Sequence, residues 1–195
     1  MRLSILAFAA VSFAASFASI AAMPAGIDDQ STTAADGTRT LRQSVVVAAP
    51  VAAVWTAFTT TEGYLSWAMP VANVDFRVGG IIEASYLRGA RLGDANNIRN
   101  EIIAFAPERM FAIRNRNVPS DAPFDAATFQ SLHTVVLFDD VGNGRTRVTI
   151  AQPGYASGEN YAKLWSFFEW GNGATLAALR DRFVNGATDW SKPRT

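Results

Sequence analysis

The sequence predicts an α+β protein in which one strand, two short helices, an antiparallel meander of about six strands and a long C-terminal helix follow one another. Three observations support this order. Apolar residues recur at helical spacing after Pro50, β-rich runs separated by turn residues fill residues 71–152, and a long amphipathic segment occupies about residues 157–185. The chain of 195 residues is long enough for one domain with a substantial core.

The N-terminal residues 1–22 have the pattern of a secretory signal peptide. One arginine precedes an uncharged stretch rich in Ala, Phe, Ile and Leu, and the small residues Ser19 and Ala21 suit a signal peptidase. We expect cleavage after Ala21 or Ala22 and a periplasmic or secreted protein, and the lack of cysteine favours the periplasm. The alternative is an uncleaved membrane anchor, because about 18 apolar residues approach a spanning length. No second run of that length occurs, so no membrane span is expected after signal removal.

The remaining chain divides into three parts. Residues 23–39 predict a disordered linker, because they are small and polar and offer little to bury. The folded domain is expected over residues 40–186, and residues 187–195 form a C-terminal tail. Within the domain, residues 40–48 are β-rich and predict the first strand.

Two short helices follow the first strand. Pro50 suits the first position of a helix, and four apolar residues then recur on one face: Val51, Val54, Trp55 and Phe58. Thr59 and Glu62 have the spacing of a capping box, which predicts a second helix that ends before Pro70.

Short β-rich runs then alternate with turn residues. Gly79-Gly80 and Asn143-Gly144 mark tight turns between neighbouring runs. A longer connection over residues 117–130 has room for one helical turn. The predicted strands of this meander are residues 71–78, 81–88, 98–105, 110–115, 132–139 and 146–152.

The last element is a long helix that ends at Gly186, a residue type that favours the left-handed conformation at a C-cap. At about 1.5 Å per residue, a helix of about 28 residues spans roughly 40 Å, which is enough to cross a sheet. Gly171 and Gly173 lie inside it, and each costs about 1 kcal/mol relative to alanine. We therefore expect a close approach to the backbone there, either by a neighbouring strand or by a ligand.

The composition excludes several kinds of function. Basic and acidic residues balance at 17 each without a basic cluster, so electrostatic binding of nucleic acid is not expected. The chain has no cysteine and only one histidine, His133, which excludes disulfides, a cysteine nucleophile and metal sites built on thiolates or several histidines. Neither a phosphate-binding loop of the GxxxxGKS or GxxxxGKT type nor a GxSxG nucleophile motif occurs. We expect no metal and no cofactor.

Five segments carry a resemblance to a known family. In chain order they are AAPVAAVWTAFTTTEGYLSWAMP at residues 48–70, DFRVGG at 75–80, EIIAFAPERM at 101–110, TVVLFDDVGNGRTRVTIAQPGY at 134–155 and FFEWGNGATLAALRDRF at 167–183. Their order and spacing resemble the helix-grip fold of the START-like (SRPBCC) superfamily, which includes polyketide cyclases and pollen allergens. The nearest resemblance is to the family similar to the activator of heat-shock-protein-90 ATPase.

The resemblance implies a curved antiparallel sheet of about six or seven strands around the long C-terminal helix, with a cavity between them. Such a cavity can hold a small apolar molecule, and the 13 phenylalanines and 5 tryptophans supply rings that suit its wall. The alternative is that these rings only fill the core. The expected lining residues are Trp67, Met69, Tyr86, Phe111, Trp165, Phe168 and Glu169.

Glu83 and Glu101 are the candidate catalytic residues, because each has apolar neighbours on both sides and could point into the cavity. A buried carboxyl has a raised pKa and can serve as a general acid or base. The alternative is that strand alternation directs both to water or to arginines on adjacent strands. His133, at the start of a strand, is either a proton shuttle or a surface residue. The arginines considered as partners are Arg77, Arg99 and Arg114.

The sequence favours a binding or carrier protein for a small, uncharged or weakly polar apolar molecule, because aromatic residues are dense and the net charge is zero. One alternative is a cofactor-free cyclase, lyase or hydrolase that uses a pocket carboxylate or tyrosine. The other is a protein-interaction module like the chaperone activators. An inward-facing carboxylate favours the enzyme, an apolar lining the carrier, and an exposed apolar patch the interaction module. No feature of the sequence predicts an oligomeric state.

Overall fold

An antiparallel sheet and a long C-terminal helix make up most of the computed structural model, which describes residues 23–118 and 124–192. The strands are β1 (Asp28–Asp29), β2 (Thr32–Thr33), β3 (Arg39–Val47), β4 (Val71–Val74), β5 (Ile81–Ser85), β6 (Ile98–Ala106), β7 (Met110–Asn115), β8 (His133–Asp140) and β9 (Thr146–Tyr155). The helices are α1 (Val51–Thr59), α2 (Thr61–Leu65), α3 (Ala126–Ser131) and α4 (Glu159–Asn185). Across the curved, unclosed sheet the strand order is β1-β3-β9-β8-β7-β6-β5-β4, and β2 also pairs with β3. The α+β class and the predicted helix-grip order of elements are confirmed.

The predicted disordered linker over residues 23–39 is wrong in its central part. Strands β1 and β2, of two residues each, pair with the outer edge of β3 and raise the number of strands in the sheet to nine. Gln30 N donates to Arg42 O at 2.8 Å, and Arg42 N donates to Ser31 Oγ at 3.0 Å. The segment pairs with β3 through backbone N–H and C=O groups of the sheet edge. Pairing of this kind does not require apolar side chains, so the polar composition of residues 23–39 does not prevent it.

The predicted signal peptide, residues 1–22, lies outside the described residues. Within residues 23–118 and 124–192, no helix is both long enough and apolar enough to span a membrane.

The two short helices form as predicted, with one correction at their junction. Helix α1 follows Pro50 directly. Thr60, rather than Thr59, caps α2, because Thr60 Oγ1 accepts a hydrogen bond from Gly63 N at 3.0 Å. The Thr59 hydroxyl instead donates to Trp55 O at 2.9 Å. The predicted capping box is therefore absent: Thr60 is a simple N-cap, because Gly63 at the third position has no side chain to return the bond.

Helix α4 packs on the inner, concave face of the sheet, chiefly against β3 and β9. Alternate residues of these strands point toward it, and Val47, Val148, Leu176 and Leu179 are completely buried. A cluster of rings extends this core toward α1, with Trp55 and Phe138 centroids 5.3 Å apart and edge-to-face. The other rings of the cluster are Phe58, Trp67, Phe76 and Phe111.

A second, smaller core surrounds the N-terminal half of α4. The guanidinium of Arg39 lies 3.4 Å from the ring centroid of Trp165, and Tyr155 meets the same ring edge-on at 5.2 Å. The buried members of this cluster are Leu41, Phe124, Phe129, Leu132, Tyr155, Leu164 and Trp165.

Glu83 and its partners, which we call the Glu83 cluster, lie on the outer, convex face of the sheet. Glu83 Oε1 accepts from Arg99 Nη2 at 3.1 Å, and also from Asn97 Nδ2 and Gly93 N at 2.8 and 2.7 Å. Burial alone would raise the pKa of Glu83, but these hydrogen bonds and the Arg99 charge outweigh burial and lower it. Glu83 is therefore ionised in the folded protein at neutral pH, with three donors on its Oε1 atom.

The N-terminal strap, residues 23–33, lies against both α4 and β3, and Met23 is in contact with Gly173 of α4 and with Gln43 of β3. Arg180 Nη1 of α4 donates to Ala25 O, and Ile27 packs against the main core. At Gly173 the strap comes so close that an added Cβ would clash with the Met23 sulfur. A close approach is thus confirmed at Gly173, but the chain's own N-terminal segment makes it rather than the expected strand or ligand. At Gly171 the expectation is wrong, because an added Cβ would meet no atom within 4 Å.

The C-terminal tail also packs against the domain. Trp190 Nε1 donates to Leu65 O at 2.6 Å, and Thr188 N donates to Ser66 O at 2.8 Å. Arg182 Nε donates to the Ser66 hydroxyl at 2.9 Å, which joins the end of α4 to α2. Residues 188–190 therefore form a fixed edge beside α2.

Two glycines of α4 provide a matched test of the strap. A Cβ at Gly171 meets no atom within 4 Å. Gly171→Ala should therefore stabilise the protein by about 0.5 to 1 kcal/mol through helix propensity. Gly173→Ala should be less stable than Gly171→Ala by at least about 1 kcal/mol, because the new methyl displaces the Met23 side chain. Urea unfolding measures both. Adding Met23→Ala should restore the stability of Gly173→Ala, and equal gains at the two glycines would show that Met23 does not lie on α4.

The Glu83 cluster predicts a pH effect. Because its folded pKa lies below the unfolded value of about 4.3, the carboxylate stabilises the fold above that pH, and the contribution disappears as the pH falls through the folded pKa. Glu83→Gln should lower the free energy of unfolding by about 1 to 2 kcal/mol at pH 7. Between pH 7 and pH 3, the free energy of unfolding should fall less in this variant than in the parent. Urea unfolding at both pH values checks this. Glu108→Gln, at an exposed turn, is the control and should change stability by less than about 0.5 kcal/mol at pH 7. An unchanged acid sensitivity in Glu83→Gln would contradict the assignment.

Candidate functional site

Part of the inner face of the sheet is not covered by α4. On β3 and β9 the inward side chains are fully buried, whereas five inward side chains of β6, β7 and β8 are only half-buried. We call this surface the open strip. Its members are Ile98, Asn100, Ile113, Asn115 and Thr134.

Strand register places these five residues on one face. Asn100 pairs with Asn115 across β6 and β7, and Ile113 pairs with Thr134 across β7 and β8. Ile98 lies opposite the buried Ala84 of the main core, which fixes the strip on the concave side. The strip therefore alternates isoleucine with amide or hydroxyl groups.

The amides of the open strip are only partly used. Asn115 Nδ2 donates to Asn100 Oδ1 at 2.7 Å. This bond orients both side chains and leaves the Asn100 NH₂ group and the Asn115 carbonyl oxygen facing the strip as one donor and one acceptor group. The surface can thus hold an apolar body by contact and orient it through two adjacent polar groups.

A buried polar network lies where α4 covers the end of the strip. Gln152 Oε1 accepts from Tyr155 OH at 3.0 Å and from Asn172 Nδ2 at 3.1 Å, and Gln152 Nε2 donates to Thr134 Oγ1 at 2.8 Å. Because two donors meet its oxygen, the amide of Gln152 has a single satisfactory orientation. Burial raises the pKa of Tyr155, although Arg39 opposes the shift, so the phenol is a neutral donor at physiological pH.

Gln43 is the remaining inward polar residue, and it is completely buried beneath α4. Its Nε2 donates to Glu169 O at 3.1 Å, which joins β3 to the helix backbone. Its Oε1 has no hydrogen-bond partner among the described residues, a condition that costs about 1 to 3 kcal/mol. Gln43 Oε1 is therefore an acceptor available to a donor that enters between helix and sheet.

Three of the predicted lining residues belong to the main core. Trp67, Met69 and Phe111 expose 1%, 7% and 2% of their surface. The indole of Trp67 donates to Ala57 O at 3.0 Å, so its polar edge is also satisfied inside the protein. These three residues therefore follow the alternative stated in the sequence analysis: their rings and thioether fill the core and do not line a cavity.

Three others lie on the N-terminal half of α4. Trp165 is buried in the second core, and the half-buried ring of Phe168 stacks on Phe129 at 5.7 Å. The Glu169 backbone carbonyl accepts the bond from Gln43. Phe168 and Glu169 are neighbours of the polar network, but they are separated from the main core that holds the first three.

Tyr86 lies apart from both groups. It is 58% exposed and lines a surface depression of about 240 Å³ together with Pro70, Arg88 and Trp190. The predicted residues are thus distributed over two cores and one surface depression, and they do not line one cavity.

The expectation that Glu83 and Glu101 face inward with raised pKa values is wrong. Both alternate with buried inward residues, namely Ile82 and Ile102, and so lie on the convex face. The pKa of Glu101 is lowered chiefly by the hydrogen bond from Arg114 at 2.8 Å; burial opposes this, and the charges of Arg116 and Arg114 add to the lowering. Both glutamates instead pair with arginines of adjacent strands, as the alternative prediction stated: Glu83 with Arg99 and Glu101 with Arg114. Arg77 pairs instead with Asp75 at 2.9 Å.

His133 begins β8 and is half-buried, on the face opposite Thr134. Within the described ranges, no three histidine, aspartate or glutamate side chains come together as a metal site would require.

Sequence reasoning missed the polar residues of the inner face. Two signals could have found them. Gln152 and Thr134 share the inward register of their strands with the buried Val136, Phe138, Val148 and Ile150. Asn172 lies within the apolar stripe of the long helix, four residues after Phe168. A polar residue at an inward position indicates a buried hydrogen-bond network or a ligand contact.

Comparison with solved structures supports the fold. The chain resembles the Aha1 dimer from Colwellia psychrerythraea, with a TM-score of 0.59 and 13% identity over 75% of this chain and 97% of that chain. It also resembles CalU16 from Micromonospora echinospora, with a TM-score of 0.56 and 18% identity over 85% of this chain and 88% of that chain. For an HSP90 activator from Plasmodium falciparum the TM-score is 0.51, with 15% identity over 74% of this chain and 94% of that chain.

Sequence comparison identifies the family. No curated protein sequence matches the chain. Residues 48–183 match the family described as activator of Hsp90 ATPase homolog 1-like protein, and this match covers more than two thirds of the chain. It includes α1, the whole six-stranded meander from β4 to β9 and nearly all of α4. The chain therefore belongs to the activator of Hsp90 ATPase homolog 1-like family.

Proposed function

We propose that this protein binds a small, uncharged or weakly polar apolar molecule on the open strip. The observation that carries the proposal is the half-buried inward row of β6 to β8, where isoleucine side chains alternate with amides. The START-like fold supports it, because this fold places a concave sheet beside a long helix. Concave, mostly apolar surfaces with a few convergent polar groups are the usual form of small-molecule sites.

The chemistry of the strip limits the ligand. Ile98 and Ile113 supply apolar contact, while Asn100 and Asn115 offer one donor group and one acceptor group side by side. A ligand that removes about 250 Å² of apolar surface from water gains about 6 kcal/mol before the entropy of association is subtracted. A micromolar complex needs about 8 kcal/mol after that subtraction, so apolar contact alone is not enough and the hydrogen bonds of the amide pair must add to it. The pair of amides therefore selects a ligand with a carbonyl, hydroxyl or amide edge.

Binding is better supported than catalysis. A cofactor-free enzyme of the kind considered needs a carboxylate or phenol at the ligand surface. Glu83 and Glu101 face the opposite side of the sheet in ion pairs, and the Tyr155 hydroxyl already donates to Gln152 beneath α4. The polar groups of the open strip are amides and one hydroxyl, which orient a ligand more readily than they transfer its protons.

A protein-interaction module is the second candidate, and one observation favours it. Phe167 and Trp170 lie three residues apart on α4 and expose 49% and 54% of their surfaces. Exposed aromatic residues that adjoin one another are typical of interfaces. The Aha1 protein that the chain resembles is a dimer, so self-association through this helix face is the form of interaction we consider.

A blocking substitution tests the binding site. Asn100→Trp places an indole on the open strip and should weaken binding of a neutral apolar fluorescent probe at least about tenfold, because the ring occupies the ligand surface. Ala104→Trp is the control, since Ala104 is exposed on the same strand and pairs with Ala112 of the convex face. Probe fluorescence titration measures both, and thermal unfolding checks that each variant is folded.

Two results would contradict the proposal. Equal probe affinity in Asn100→Trp and the parent would place binding elsewhere. Failure of a broad set of apolar probes to bind the parent, together with self-association that Trp170→Ser abolishes in sedimentation, would favour the interaction module.

We also propose that the protein is exported to the periplasm or secreted, with cleavage after Ala21 or Ala22. The apolar N-terminal pattern, with small residues at the expected cleavage site, supports this. N-terminal sequencing of protein from its natural source should begin at Ala22 or Met23. Recovery of the intact Met1 form in the membrane fraction would refute it.

A further inference from the structure

The surface depression beside Tyr86 has the character of a binding site separate from the open strip. Its volume is about 240 Å³, and Pro70, Tyr86, Arg88 and Trp190 line it. Sites for drug-sized ligands are commonly about 300 to 1,000 Å³, so this one suits a smaller molecule. Three of its four lining side chains are rings, and the fourth is a cation.

The walls of the depression are fixed. Trp190 is held by its indole N–H bond to Leu65 O at 2.6 Å, and Thr188, two residues earlier, is bonded to Ser66 O. Pro70 has a rigid ring, and Tyr86 follows directly after β5. Rings held in this way provide flat apolar surfaces at little entropic cost, which favours a planar ligand.

Arg88 closes the depression against the C-terminal tail. Its Nη1 donates to Ser191 O at 3.1 Å, and its Nη2 donates to Lys192 O. A guanidinium has five N–H donors, and these two bonds leave three without a partner among residues 23–118 and 124–192. Arginine presents such donors in a planar fork that matches a carboxylate, and a charged acceptor binds them more strongly than a backbone carbonyl does.

The charges around the depression favour an anion. Besides Arg88, the nearby cations are Arg182, which is bonded to Ser66, and Lys192 of the tail. Asp189 is the opposing carboxylate among the described neighbours, and it also interacts electrostatically with Arg88. Asp189 is already engaged, with bonds from Ser191 N and Ser191 Oγ at 3.0 and 2.6 Å and an ion pair with Lys192 at 3.3 Å. The local net charge is therefore positive, which disfavours the organic cations that aromatic walls alone would attract.

We propose that this depression is a binding site for a small aromatic carboxylate, with its ring between Tyr86 and Trp190 and its carboxylate on Arg88. This goes beyond the proposed function, which concerns neutral ligands on the open strip. The ligand uses the donors of Arg88 that the tail leaves available, so the tail remains in place when it binds.

The test uses benzoate and its neutral counterpart benzamide on the complete chain, with binding followed by calorimetry and by tryptophan fluorescence. Benzoate should bind at least about tenfold more tightly than benzamide and should weaken as salt is added. Arg88→Gln should reduce benzoate affinity at least about tenfold and leave benzamide within about twofold. Arg91→Gln, an exposed arginine of the same loop that does not line the depression, should bind benzoate like the parent.

The comparison of the two probes on the parent chain does not depend on the folding of any variant. Equal binding of benzoate and benzamide, no measurable benzoate binding, or an equal loss in Arg88→Gln and Arg91→Gln would each overturn the proposal. Asn100→Trp should leave benzoate affinity unchanged, and a loss there would place benzoate on the strip and also overturn it. If the open strip does not bind apolar probes, the effect of Arg88→Gln on benzoate binding is not changed. The proposal for the open strip and the proposal for the depression can therefore be refuted independently.

Discussion

The packing of α4 against β3 and β9 determines the rest of the molecule. Leu176 and Leu179 are completely buried against the inward valines of these strands, and a helix seated on one side of a curved sheet leaves the other side uncovered. The open strip on β6 to β8 is that uncovered part. The proposed binding surface is thus a consequence of where the helix finds its apolar contact, and it requires no separate loop or insertion.

The polar network beneath α4 fixes the position of the helix along the sheet. Apolar contacts alone allow a helix to slide or rotate at modest cost, whereas Gln152 must receive both Tyr155 OH and Asn172 Nδ2 on one oxygen. Displacing α4 by one turn would leave these buried groups unpaired, which costs about 1 to 3 kcal/mol for each. Because Gln152 also donates to Thr134, the same network connects the position of the helix to the edge of the open strip.

Much of the fold follows from local patterns, and the site does not. Pro50, the Asn143-Gly144 turn and the glycine at 186, which has φ of +87°, act through their own backbone preferences and are readable in the sequence. The direction of Glu83 depends on the register between strands, and its pKa depends on Asn97 and Arg99, which are distant in the sequence. The strap was missed for a related reason. Strands β1 and β2 pair with β3 through their backbone groups. The polar side chains of this segment therefore do not indicate the pairing.

The ring cluster explains why the proposed site is an open surface and not the predicted enclosed cavity. Trp55, Phe58, Phe111 and Phe138 meet at centroid distances of 5.3 to 6.2 Å and fill the end of the concave face nearest α1. Such packing leaves no room for a ligand between those rings. A molecule on the open strip therefore keeps one side in water, and apolar contact is limited to the area that the strip itself offers. Affinity can then increase only through the amide pair of Asn100 and Asn115, because hydrogen bonds add selectivity where buried area is restricted.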